Sequence, residues 1–121
     1  METIQICPIG SDLASRRSAA QLRHDSEELL DQNERVVFDL SKVESVSESY
    51  ADELFGVLAL STGTEKFFGS VAIRGASRIV LEQIAKAIQV RLEGQEFQES
   101  IHALVAAKRS QQAYRSGDGR F

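Results

Sequence analysis

The chain of 121 residues contains one cysteine, one proline, one methionine and no tryptophan. A lone thiol, Cys7, excludes an internal disulfide framework. With only His24 and His102 beside it, a zinc site built from cysteine and histidine lacks both ligands and spacing. Cys7 lies in the apolar run Ile4–Ile9, where a buried, inert thiol is expected. Both histidines fall on polar helical stretches and read as surface residues. No apolar run approaches the roughly 18 residues of a membrane span. The start, Met1–Gly10, has neither the basic nor the long apolar region of a signal peptide. The expected location is the cytoplasm. A strong charge of one sign is missing too, because the formal net charge is only −4. That argues against a broad nucleic-acid surface, which needs a basic face. The locally basic stretch, Lys108, Arg109, Arg115 and Arg120, reads as a solvated tail.

What is present is ordinary globular material: 42% hydrophobic and 26% charged residues, enough for one domain with its own core. Thr3–Cys7 alternates with period two and is ended by Pro8 and Gly10, which predicts a strand. Ser11 or Asp12 then supplies the N-cap of a long helix to about Gln32, with Ala19, Leu22, Leu29 and Leu30 as its apolar face and Ser26 interrupting it. Val36-Val37-Phe38 within Arg35–Leu40 predicts a strand buried on both faces. After a turn at Ser41-Lys42, a second helix is expected from about Ser49 to Leu60. Its core stripe is Ala51, Leu54, Phe55 and Leu58.

Ser61–Gly69 reads as a loop whose Phe67 and Phe68 plug the sheet edge. Ser70–Arg74 reads as a third strand. Ser77 caps a third helix to about Leu92, stopped by Gly94, and Phe97, Ile101, Leu104 and Val105 mark a fourth to Lys108. The order β-α-β-α-β-α-α implies an α/β fold: a mainly parallel sheet of three to four strands flanked by helices, with an extra C-terminal helix. The expected organisation is one domain over residues 1–108 and a polar tail over 109–121.

In such a sheet, function gathers where strands end and helices begin. The middle junction, Val43–Asp52, stands out. Ser49-Tyr50-Ala51-Asp52 has the spacing of a capping box, with Ser49 as N-cap and Asp52 three residues on. On physics alone Ser47 and Ser49 simply start a helix, each cap contributing about 1 kcal/mol. A phosphate on Ser49 would be favoured by the helix N-terminus and opposed by Glu48, Asp52 and Glu53. Asp52 and Glu53 are adjacent carboxylates that point to different parts of the helix surface, so they read as a solvated face and not an acid/base pair. Glycine-rich nucleotide loops and nucleophile elbows are missing.

The stretch Val37-Phe38-Asp39-Leu40-Ser41-Lys42-Val43-Glu44-Ser45-Val46, followed by Ser47-Glu48-Ser49-Tyr50-Ala51-Asp52-Glu53-Leu54-Phe55, resembles the bacterial STAS-like domains of unknown function. The resemblance covers roughly residues 3 to 92. More distantly, the segment is similar to the STAS domains of anti-sigma factor antagonists. There a serine at the start of the helix is phosphorylated by a partner kinase of the GHKL ATPase class. That resemblance puts the phosphoacceptor on Ser49, with Ser47 where an aspartate is usual and Tyr50 where a small glycine is usual.

The expected function is therefore a non-enzymatic regulatory protein-interaction module, needing no cofactor or metal. Its partner would be a GHKL-type ATPase or kinase, or another regulator. Serine phosphorylation would switch it, with Ser49 and Ser47 as candidate acceptors. Tyr50, Asp52, Glu53 and Val57 are the candidate docking residues, with Tyr50, Glu53 and Val57 on one side of the helix, off the core stripe. Two other readings stand beside it. One is a small nucleotide- or anion-binding domain or enzyme using helix N-termini. The other is a self-associating module with the C-terminal helix as a homodimer seam.

Overall fold

The computed structural model describes residues 2–95. The expected helix at Phe97–Lys108, the tail, His102 and the domain boundary at 108 lie outside the described residues. Among the described residues, strand β1 (Thr3–Ile6) pairs in parallel with β3 (Arg35–Asp39), and β3 pairs in parallel with β5 (Val71–Arg74), giving the order β1-β3-β5. A sheet that winds in one direction through right-handed crossovers carries its connecting helices on one face. Burial agrees. Ile4, Val36 and Val71 are in register, as are Ile6, Phe38 and Ile73; Ile4 is half-buried, and the other five belong to the core or pack against it. On the other face Gln5 and Ala72 flank Val37 in register, and both are exposed. The central strand is thus buried on one face, not on two.

Cys7 departs from expectation more plainly. Strand pairing ends at Ile6, and the thiol beyond it is free and exposed.

The first helix, α1 (Arg16–Asp31), begins later than its sequence suggests. Its N-cap is Ser15, whose side chain accepts from the Ser18 N–H. Ser11 and Asp12 are used differently. A second, two-stranded parallel ribbon pairs β2 (Asp12–Leu13) with β4 (Ser45–Val46). A strand of two residues is too short to show any period. Ala19, Ser26 and Leu30 form the buried line of α1, so Ser26 belongs to the apolar face instead of breaking it. Its hydroxyl donates to the Leu22 carbonyl at 2.7 Å, which satisfies it without water. The helix closes on Asn33 at φ 63°, with Asn33 N–H donating to Leu30 O and Glu34 N–H to Leu29 O. That is the left-handed cap in which asparagine substitutes for glycine.

The second helical stretch runs from residue 48 to residue 62 in three parts: α2 (Glu48–Ala51), a π-helical turn (Asp52–Gly56) and α3 (Val57–Thr62). Ala51, Leu54, Phe55 and Leu58 are all buried, as their spacing predicts, and the Phe55 ring meets Phe38 edge-on at 5.0 Å. The expected loop after it is largely helical. Gly63, at φ 95°, breaks the chain once, and α4 (Thr64–Ser70) follows. Phe67 from α4 is buried while Phe68 is exposed, so only one of the pair plugs the core. Ser77 caps α5, which spans residues 78–95, by accepting from the Val80 N–H at 3.2 Å. Helical structure continues through Gly94, so that glycine does not stop it. Val80, Ile84, Ala87 and Ile88 bury the inner face of α5, leaving Ile79 exposed.

Candidate functional site

The β2–β4 ribbon decides where the site forms. Ser47 N–H donates to the Leu13 carbonyl at 2.8 Å, and Ser47 Oγ lies 3.4 Å from the Ala14 carbonyl. These contacts pin the start of α2 beside the start of α1. Ser47, not Ser49, is the N-cap: its Oγ accepts from Tyr50 N–H at 3.1 Å and its carbonyl from Ala51 N–H at 3.0 Å. The expected Ser49–Asp52 capping box is therefore not formed. Ser49 sits in the first turn, half-buried, with its hydroxyl 3.2 Å from that of Ser47.

Tyr50 is in the core at 2% exposure, and burial raises its phenol above the usual value of 10.0. It cannot serve as an exposed docking residue. Glu53 is also engaged. It receives Arg16 Nη1 at 2.9 Å and Arg23 Nε at 3.1 Å, both from α1. Val57, one turn further on, is half-buried. The structure does not gather Tyr50, Glu53 and Val57 into one open face, because Tyr50 points into the core and Glu53 is turned toward α1.

Asp52 completes a charge cluster. Arg91 of α5 meets it with two bonds, Nε to Oδ1 at 2.6 Å and Nη2 to Oδ2 at 2.9 Å, while Arg16 Nη1 stands 3.6 Å from Oδ2. Such a fork-on-fork contact fixes orientation as well as charge. The Arg91 hydrogen bonds are the main reason the Asp52 carboxyl is held below its ordinary 3.8. For Glu53 partial burial, the largest single influence, pushes upward, but the bonds from Arg16 and Arg23 together outweigh it and the carboxyl ends below 4.5. Adjacent carboxylates expected to be solvated are thus both paired. Arg23 also donates to Glu27 at 3.0 Å, and Glu27 accepts from Ser61 Oγ at 2.6 Å. The sequence carried one signal of this cluster: Arg16 and Arg23 are seven residues apart, hence on one side of α1.

Asp52 contacts Arg91, and four residues later Gly56 lies against Ala87, so the 48–62 helix and α5 run antiparallel. An open groove of about 1330 Å³ follows their seam. Its apolar lining is Leu60, Ala87 and Val90, the last 57% exposed. Ser47, Ser49, Glu48, Asp52, Arg16, Lys86 and Arg91 supply the polar part. This groove, and not the Tyr50–Val57 side, is where the candidate serines meet open space.

Among the described residues no group of three or more His, Cys, Asp or Glu side chains is placed to hold a metal ion. No helix among them is long and apolar enough to cross a membrane. No curated protein and no solved structure matches the chain. A family model described as a STAS-like domain of unknown function (DUF4325) matches residues 18–81, which is just over half of the chain and runs from the first turn of α1 into α5. With the parallel sheet and flanking helices in place, the chain belongs to this family of STAS-like domains.

Proposed function

We propose that the domain is a non-enzymatic regulatory module that binds a partner protein through the groove between the 48–62 helix and α5, and that phosphorylation of Ser49 switches the binding. The observation that carries the reading is the position of Ser49. Its hydroxyl is half-buried at the groove and bonded only to a second hydroxyl among the described residues, whereas Ser47 is committed to capping. The apolar lining of Leu60, Ala87 and Val90, rimmed by charge, has the composition of an interaction surface. The resemblance to anti-sigma factor antagonists supports a GHKL-type kinase as the partner. In that transfer Ser49 Oγ bonds to the γ-phosphorus of ATP, the bond to the ADP oxygen breaks, and the hydroxyl proton passes to a base of the kinase.

A phosphate added at the rim brings about −1.5 to −2 charge, which desolvates poorly against an apolar partner face. Binding is lost, not the fold. Incubation with ATP and a GHKL-type partner, followed by mass spectrometry, should map phosphate to Ser49. Uptake at an unchanged level by Ser49→Ala would remove the site assignment. Equal partner capture by Ser49→Ala and Ser49→Asp would remove the switch.

A further inference from the structure

We infer, on the strength of the Ser49 phosphoacceptor reading, that Arg16 is the intramolecular receptor for the Ser49 phosphate: its guanidinium moves off Glu53 and donates to the phosphoryl oxygens. Asp52 and Glu53 lie three and four residues after Ser49, one helical turn away and about 5–6 Å between Cβ atoms. A phosphate beside two carboxylates is repelled unless a cation comes with it. Arg16 is already within reach of both carboxylates, at 2.9 Å from Glu53 and 3.6 Å from Asp52, and lines the same groove as Ser49.

It is also the arginine that can leave. Asp52 keeps two bonds to Arg91, and Glu53 keeps Arg23. Arg23 has a side chain only 15% exposed and a second partner in Glu27, so it is held in place. Arg16 is 52% exposed and makes one direct bond. Its transfer to the phosphate therefore leaves neither carboxylate unpaired. A guanidinium fork also matches phosphate geometry better than an ammonium does. The consequence is a phosphorylated state in which the start of α1 is tied directly to the start of α2. The phosphate is then partly neutralised by the domain itself and less available to any cation of a partner.

The test uses the full chain with phosphoserine encoded at position 49, so it needs no kinase. ³¹P NMR follows the second ionisation of the phosphate, ordinarily near pH 6, beside thermal unfolding of the same samples. With Arg16 the ionisation should move below that value, and Arg16→Gln should weaken it at least threefold, about 0.5 in pKa. Arg16→Lys should recover part of the difference. Phosphorylation should leave the unfolding midpoint nearly unchanged with Arg16 present and lower it by several degrees in Arg16→Gln. The unphosphorylated Arg16→Gln protein, whose midpoint should stay close to that of the parent, shows that the variant folds. Identical phosphate titrations with and without Arg16 would overturn the inference. Failure of any kinase to modify Ser49 would instead sink the reading above, and this titration tells the two apart.

Discussion

Arg91 and Asp52 face each other across 39 residues of sequence, joined by bonds of 2.6 and 2.9 Å that tie α5 to the 48–62 helix. The close approach depends on Gly56. A Cβ there would stand 2.8 Å from Arg91 Cγ and 3.1 Å from both the Ala87 carbonyl and Asp52 Oδ1. The ion pair and the missing side chain are parts of one joint. It falls on the π-helical turn, a local geometry often kept for functional positions.

Arg91→Ala should destabilise the domain by about 1 kcal/mol, because the pair is partly exposed and its loss leaves Asp52 able to reach water. Arg91→Lys should recover less than half of this, since an ammonium cannot occupy both carboxylate oxygens at once. Urea midpoints of the three proteins decide the matter. Full recovery by lysine would show that charge alone is needed.

Gly56→Ala sets two effects against each other. Alanine gains about 1 kcal/mol of helix propensity. Overpacking costs about 1–3 kcal/mol, and here one of the obstructing atoms is the Ala87 backbone carbonyl, which cannot rotate away. Net destabilisation of about 1 kcal/mol is expected, with faster amide exchange in α5. A stabilised Gly56→Ala protein would show that α5 shifts freely and that the joint is not tight.

Ser47 and Ser49 should separate cleanly. Ser47→Ala removes the cap on Tyr50 N–H and should cost about 1 kcal/mol. Ser49→Ala removes only a contact between hydroxyls and should change stability by less than about 0.5 kcal/mol. Thermal or urea unfolding of both variants is sufficient. The reverse ranking would return the cap to Ser49 and place Ser47 as the open hydroxyl.

Acid should weaken the domain through the same cluster. Asp52 and Glu53 are held below their ordinary values of 3.8 and 4.5 in the folded state. A carboxyl depressed by folding contributes stability that is fully present above its unfolded value and lost as pH falls through the folded one. The contribution of this pair should therefore be flat from neutrality to about pH 5 and decline below it. Asp52→Asn should be less stable than the parent at pH 7, and the gap should narrow in acid. Parallel pH profiles for the two proteins would show that Asp52 has the same ionisation folded and unfolded.

Local chemistry carried much of the fold. The strands at Thr3, Arg35 and Val71, the stripe Ala51-Leu54-Phe55-Leu58 and the Ser77 cap all follow from short apolar or alternating runs, helical spacing and capping, which involve neighbours only. Cys7 is exposed although its apolar run predicts burial, because such a run does not say where pairing ends. The helix at Thr64–Ser70 was hidden because Gly63, Thr64 and Gly69 look like a turn, yet packing of Phe67 into the core holds the segment helical.

By itself, then, the sequence determined an α/β domain of the STAS-like family and brought attention to the strand-to-helix junction around Ser49. Which serine caps and which remains open was decided only by tertiary structure. Ser47 and Ser49 are two residues apart with the same side chain, so no local signal ranks them. The Leu13 carbonyl does, by fixing Ser47 N–H at 2.8 Å through a ribbon that joins residues more than thirty positions apart. The same ribbon sets α1 against the 48–62 helix and brings Arg16 to Glu53, while the packing of α5 brings Arg91 to Asp52. Contacts of that range leave no period in a sequence, because they exist only after the chain has closed on itself.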